Sequence, residues 1–72
     1  MHPIVALQSK VTPSRFVTVG LASIVTGLTQ PAIRTKISRG VWLEGREYVR
    51  APDGHVMIDI KGYEQWVASA RA

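Results

Sequence analysis

The segment GLTQPAIRTKISRG, from Gly27 to Gly40, decides the fold because it contains the start, the end and one apolar stripe of a short helix. Thr29 is typical of an N-cap, since its hydroxyl can accept a hydrogen bond from a free amide of the first turn. Pro31 fits that turn because its missing N–H has no partner there. Gly40 fits the left-handed position after the last turn. Local side-chain chemistry therefore predicts both ends of this helix.

The predicted helix has two different faces. At about 100° per residue, Ile33 and Ile37 lie on one side, with Ala32 beside them. We expect this side to pack against a core and the other side to stay free for binding, as in a helix that enters a DNA groove. The free side carries Pro31, Arg34, Thr35, Ser38 and Arg39.

The composition indicates one small domain. The chain has 72 residues, of which 46% are apolar, and no cysteine, so its stability has to come from packing. No apolar run approaches the roughly 20 residues of a membrane span, and the first residues lack the pattern of a signal peptide. We expect a soluble, intracellular protein that has no membrane partner.

The charge balance favours a polyanionic partner. Nine Lys and Arg against five Asp and Glu give a net charge of +4, with an isoelectric point near 10.1. Many small basic proteins share this balance without binding nucleic acid, so the placement of the charges has to decide.

The chain divides into an N-terminal arm, residues 1–14, and a folded domain, residues 15–70. In the arm, Pro3, Pro13 and small polar residues surround a short apolar patch, which is typical of a loosely held segment. An extra strand would fit the arm equally well.

The first part of the domain is predicted to contain an extended segment and a first helix. Residues 15–19 are extended, with Thr18 as the cap of a helix that ends at Gly27. Leu28 then fills the turn before the second helix. The prediction depends on context, because Gly20 and the β-branched residues of this stretch are poor helix formers.

A β-hairpin follows, after apolar residues at 41–43 and a bend at 44–46. Its arms are residues 47–50 and 55–58, and its turn reads APDG. Pro52 and Asp53 suit the two central positions of a type I turn, and Gly54 can adopt the positive φ of a G1 bulge.

A last helix is predicted after Asp59, which is a typical cap. Its apolar residues recur at i, i+3, i+4 and i+7, so we expect one stripe to face the core. Trp42 could join two of them as a platform for single-stranded nucleic acid, but the spacing favours a core. The stripe consists of Tyr63, Trp66, Val67 and Ala70.

Two helices joined by a glycine turn, a hairpin and a packing helix form a small α+β winged helix-turn-helix domain. On these elements the chain resembles the small excisionases of phages and integrative elements, and more loosely the MerR-type DNA-binding domains. The resemblance covers residues 15–68. It depends on GLT at 27–29, AIR at 32–34, KI at 36–37, RGVWLEG at 39–45 and APDG at 51–54.

The resemblance implies an accessory DNA-binding protein. Such excisionases bind and bend attachment-site DNA, often as several copies side by side, and bias a tyrosine recombinase (integrase) toward excision. The implied partners of this chain, which we expect to be monomeric by itself, are double-stranded DNA, the integrase and neighbouring copies. The implied location is the bacterial cytoplasm, at the nucleoid.

The resemblance carries DNA contacts onto the second helix and the hairpin, or wing. An arginine can bond guanine O6 and N7, and the wing tip can enter the minor groove or follow a phosphate strand. The alternative is that these residues are ordinary solvated charges. The contacts on the helix are Thr29, Gln30, Arg34, Thr35, Lys36, Ser38 and Arg39, and those on the wing are Arg46, Arg50, Gly54 and His55.

Catalysis has little support in the sequence. Glu44 and Glu47 flank a glycine bend with Arg46 between them, so we expect a surface pair and not an acid–base dyad. His2 and His55 are isolated, and no metal-site spacing, phosphate loop or nucleophile elbow occurs. We expect no enzyme activity, metal, cofactor or small-molecule substrate.

Two other functions fit the same residues. A small transcriptional regulator would use the same helix and wing but would not depend on a recombinase. A protein-interaction module would dock its basic face on an acidic partner and would not bind duplex DNA.

Overall fold

The computed structural model describes residues 14–71, so the predicted arm lies outside the described residues except for Ser14. The three strands form one antiparallel sheet in the order β1–β3–β2. The sheet, a helix-turn-helix and a C-terminal helix confirm the predicted α+β class. The elements are β1 (Phe16–Thr18), α1 (Val19–Thr26), α2 (Gln30–Ser38), β2 (Tyr48–Arg50), β3 (Val56–Asp59), α3 (Ile60–Ala68) and a final 3₁₀ turn (Ser69–Arg71).

The helix-turn-helix has the ends that the sequence predicts. The hydroxyls of Thr18 and Thr29 cap α1 and α2, each accepting a hydrogen bond from the amide three residues on, at 3.1 and 3.2 Å. Gly27 and Gly40 follow the two helices with φ of 80° and 75°. Because a side chain is strained at such angles, glycine is the residue that suits both positions. No helix among residues 14–71 combines the length and apolar content that a membrane crossing requires.

The core lies between the helices and the sheet. Ile33 is fully buried and Ile37 packs against the core, which confirms the apolar stripe of α2. Leu28 also packs against the core from the turn between the helices. Trp42 is buried, whereas its neighbours Val41 and Leu43 are about half exposed. The buried apolar residues are Val17, Val19, Ala22, Ile33, Trp42 and Ile58.

Three aromatic side chains join α3 to this core. Trp42 is fully buried and stands edge to face against Tyr63 and Trp66, with ring centroids 6.1 and 5.6 Å apart. A ring with no exposed surface cannot stack on a nucleic-acid base. The prediction that these aromatic residues form a core is therefore confirmed.

The predicted stripe of α3 is wrong at its C-terminal end. Ile60, Tyr63 and Trp66 pack against the core, whereas Val67 is 47% exposed. Ala70 is exposed and lies in the 3₁₀ turn beyond the helix. The physical reason is that α3 packs through side chains spaced by three residues, namely Ile60, Tyr63 and Trp66. Val67, four residues after Tyr63, therefore faces outward.

The hairpin, which we call the wing (residues 48–59), has the predicted turn. The Gly54 N–H donates to the Ala51 carbonyl at 2.8 Å, and the Ala51 N–H donates to the His55 carbonyl at 2.8 Å. Gly54 has a φ of 90°, and no other type of residue in the described part has a positive φ. A type II turn requires a positive φ at its third residue, which is Asp53, so this type is excluded. The turn is therefore type I with a G1 bulge.

Asp59 joins the sheet to α3. Its carboxylate accepts the Gly62 N–H at 3.1 Å, which confirms the predicted cap. It also accepts two hydrogen bonds from Arg15, at 3.1 and 3.0 Å, beside the pairing of β1 with β3. The Arg15 hydrogen bond is the main cause of the lowered pKa of Asp59. The carboxylate therefore stays charged at neutral pH and holds three elements together.

Glu47 is buried, so the predicted surface pair with Glu44 is wrong. Glu47 is 2% exposed, while Glu44 is exposed. One carboxylate oxygen accepts the Leu43 N–H at 2.9 Å, and the other accepts the Arg46 Nε–H. The carboxylate is stable inside the protein because both of its oxygens have partners. It closes the loop that precedes β2.

Helix α3 approaches this loop most closely at Gly62. A Cβ atom at that position would lie 1.8 Å from the carbonyl oxygen of Arg46 and 3.1 Å from Cα of Glu47. Both are backbone atoms, which cannot rotate away as a side chain would. The absence of a side chain at Gly62 is therefore required for the packing of α3.

Gly62→Ala should destabilise the domain by about 3 kcal/mol or more, because the new methyl group overlaps the backbone of the loop. Gly20→Ala is the matched control. Its Cβ would lie 3.7 Å from the nearest atom, the Nε2 of Gln30, and alanine is the better helix former. Thermal unfolding followed by circular dichroism should give a lower Tm for Gly62→Ala and an equal or higher Tm for Gly20→Ala. Equal Tm values for the two variants would contradict the close packing of α3.

Candidate nucleic-acid interface

Helix α2 presents a polar face on a fixed scaffold. Its outer side chains are exposed, while Ile33 on the opposite side is fully buried. The cap at Thr29 and the burial of Ile33 determine how the helix sits on the core. The predicted two-faced helix is thus confirmed. Its exposed residues are Gln30, Pro31, Arg34, Thr35, Ser38 and the C-cap residue Arg39.

Arg34 lies where α2 faces the wing. It lines a surface depression together with Asp53, Gly54 and His55 of the wing turn and Thr18 at the start of α1. Arg34 also lines a second depression, between α1 and the start of α2, that includes Gln30. Arg34 therefore lines a depression that is shared by the helix-turn-helix and the wing.

The other edge of α2 faces α3. Arg39 is about 140° from Arg34 around the helix, and it lines a separate depression with Thr35, Lys36 and Trp66. The Lys36 ammonium lies 5.9 Å from the centroid of the Trp66 ring, a cation–π distance. Helix α2 consequently has one basic edge beside the wing and another beside α3, with small polar side chains between them.

The wing tip combines a basic and an acidic side chain. Asp53 accepts the backbone N–H of His55 at 3.0 Å, and its other carboxylate oxygen lies 3.0 Å from His55 Nδ1. The backbone hydrogen bond is the main cause of the lowered pKa of Asp53. Asp53 is therefore an anion at neutral pH. Arg50, at the end of β2, is exposed.

Arg46 has a different environment from the other predicted contacts. Its guanidinium donates to Glu47 and, at 2.9 Å, to the carbonyl of Val41. It lines a depression with Gln65 and Trp66 of α3. The structure thus gives Arg46 a role in holding the loop before β2. A contact of Arg46 with DNA stays a prediction.

Several predicted basic contacts make no ion pair with another residue of the described part, 14–71. In the described part of the chain the ion pairs join Arg15 to Asp59, Arg46 to Glu47 and His55 to Asp53. An external phosphate could therefore bind the other basic side chains without breaking any of these three ion pairs. The basic side chains outside these pairs on α2 and the wing are Arg34, Lys36, Arg39 and Arg50.

Two predicted polar contacts already have internal hydrogen bonds. The Thr29 hydroxyl accepts the amide that it caps, and the Ser38 hydroxyl donates to the Thr35 carbonyl at 3.1 Å. A hydroxyl both donates and accepts, so each retains capacity for an external partner. No three His, Asp or Glu side chains between residues 14 and 71 come together as ligands of a metal would.

Thr18 and Asp53 line the depression that contains Arg34, which the sequence did not predict. Both were assigned purely local roles, a helix cap and a turn residue, and both roles are confirmed. Their approach to α2 depends on how the sheet packs against the helix-turn-helix. No spacing within the sequence indicates that these residues and Arg34 line one depression.

A comparison with known protein families gives a match over most of the chain. Residues 8–71 match a protein family described as "Putative excisionase (DUF1233)". The chain belongs to this family. The match covers the helix-turn-helix, the wing and α3, and it supports an excisionase-like role with DNA and the recombination machinery as the general classes of partner. Comparisons with curated proteins and with solved structures gave no significant match.

In this excisionase-family protein, Arg34→Ala should weaken binding to duplex DNA by about 1.5–3 kcal/mol, the range for a hydrogen bond with a charged group. The Tm should stay unchanged, because the side chain is exposed. Lys61→Ala is the matched control, since it removes one exposed positive charge from α3. Affinity is measured by fluorescence anisotropy with a labelled duplex, and stability by thermal unfolding. Equal affinities of the Arg34 and Lys61 variants would contradict the assignment of α2.

Proposed function

We propose that this excisionase-family protein binds duplex DNA with α2 and the wing, and bends attachment-site DNA so that an integrase carries out excision. The proposal depends on one observation above all: Arg34 of α2 and the tip of the wing line the same depression. Helix and wing can therefore contact one continuous piece of nucleic acid.

The size and charge of α2 support insertion into the major groove. An α-helix with its side chains is about 10–12 Å across, which fits the roughly 12 Å width of that groove. The two basic edges, at Arg34 and Arg39, would face the phosphates on the two sides of the groove. Thr35 and Ser38 lie between them, where a short side chain can reach a base edge.

The wing is then beside the neighbouring backbone. Its tip and Arg34 line one depression, so a phosphate strand that occupies this depression would pass both Arg34 and His55. Arg50 adds a further exposed positive charge on β2. Contacts on both sides of a strand favour a DNA path that bends toward the protein.

Bending accounts for an effect on recombination without catalysis. Smooth bending of a 20–30 base-pair site by 40–90° costs on the order of 1–6 kcal/mol, a large share of what one small module gains from its contacts. We therefore propose that several copies bind side by side, at the nucleoid of a bacterial cell, and share this cost. The integrase would supply all of the cutting and joining.

Circular-permutation gels with attachment-site DNA should show a bend that increases as successive copies bind. Arg34→Ala should reduce both binding and bending, and the purified protein should neither cut nor join DNA in the absence of integrase. A straight complex at saturation, or strand cleavage by the protein alone, would contradict the proposal.

An excision assay separates the alternatives. Adding the protein to integrase and a linear substrate should raise the yield of excised product. Bending without any change in that yield would instead favour a transcriptional regulator. A protein that binds no duplex would indicate a protein-interaction module.

A further inference from the structure

The wing tip holds a histidine in one orientation. His55 Nδ1 lies 3.0 Å from one carboxylate oxygen of Asp53, and the His55 backbone N–H donates to the other oxygen at 3.0 Å. The two contacts act on the ring and on the backbone of the same residue. The backbone hydrogen bond holds the Asp53 carboxylate in place, and the contact with Nδ1 orients the imidazole toward that carboxylate.

This orientation leaves the second ring nitrogen available. Nε2 is on the side of the ring away from Nδ1, and the His55 side chain is 78% exposed. His55 also lines the depression that contains Arg34. A group that enters the depression can therefore meet Nε2 and the Arg34 guanidinium together.

We propose that Asp53 is a positioning residue, which orients His55 so that its Nε2–H donates to a phosphate of the DNA strand lying between the wing and α2. This inference rests on the proposed function and adds to it the atom that contacts the backbone. It also predicts that the contact depends on a proton.

The proton dependence follows from the two ring nitrogens. If Nδ1 carries the hydrogen that faces Asp53, Nε2 carries one only when the ring is a cation. Histidines gain this second proton in the range between about pH 8 and pH 5. The neutral ring would present a lone pair to the phosphate, whereas the cation presents a donor.

The charges around the depression also favour a phosphate contact by the protonated ring of His55. The charged side chains that line it are Arg34 from α2 and Asp53 and His55 from the wing, and its other lining residues are uncharged. While the ring of His55 is neutral, the negative charge of Asp53 is not balanced within the wing tip and repels phosphate. Protonation of His55 balances that charge and supplies the donor.

The test compares wild type, His55→Gln and Asp53→Asn on a labelled 24-base-pair duplex of mixed sequence, by fluorescence anisotropy at pH 8 and pH 6. A mixed sequence is sufficient because phosphate contacts do not depend on the bases. The affinity of the wild type should rise several-fold at pH 6. The slope of log K against log salt concentration should also become steeper by about 0.9, the value for one phosphate contact.

The variants separate His55 from other groups that titrate in this range. His55→Gln should lose the difference between pH 8 and pH 6, whereas His2→Gln, the matched control, should retain it. Asp53→Asn keeps an oxygen that can accept the His55 backbone N–H, so the turn is preserved, but it should show a smaller gain at pH 6. Thermal unfolding at both pH values checks that all variants are folded.

Different results would overturn the role of Asp53 and His55 and the proposed binding of duplex DNA. A gain that His55→Gln retains in full, or an unchanged gain in Asp53→Asn, would overturn the inference while duplex binding still holds. A wild type that binds no duplex at either pH would overturn both.

Discussion

The close approach of α3 to the loop before β2, at Gly62, is the constraint on which the rest of the structure depends. It brings the backbone of Arg46 against the helix, and the same loop supplies Trp42, which fills the core between α3 and the helix-turn-helix. Asp59 secures the arrangement from the other side, since it caps α3 and binds the residue before β1. Because Trp66 of this assembly contacts Lys36, the packing of α3 also reaches the basic edge of α2.

The sequence predicted those features that a few neighbouring residues determine. The cap at Thr29, the left-handed glycine at position 40 and the type I turn of the wing all depend on hydrogen bonds or dihedral angles within about four residues. The two faces of α2 also follow from its spacing. These signals were sufficient for the fold class and for the exposed side chains of the candidate interface.

Features that depend on long-range packing could not be predicted in this way. Glu47 looked like a surface residue because its partner is a backbone amide in a loop whose path the sequence does not specify. No local pattern marks Gly62 as necessary, because only the position of another segment excludes a side chain there. Asp53 and Arg34 are far apart in the sequence, and only the packing of the wing beside α2 brings them to one depression.

The central claim is that DNA lies against α2 and the wing, and chemical-shift mapping tests it most directly. The 7.9 kDa chain suits two-dimensional ¹H–¹⁵N spectra recorded as a duplex is added. The non-proline amides of residues 29–39 and 50–55 should shift, and those around Glu64 in α3 should not. Shifts confined to α3, or to α1 around its exposed apolar residues Leu21, Ile24 and Val25, would place the DNA elsewhere and contradict this interface.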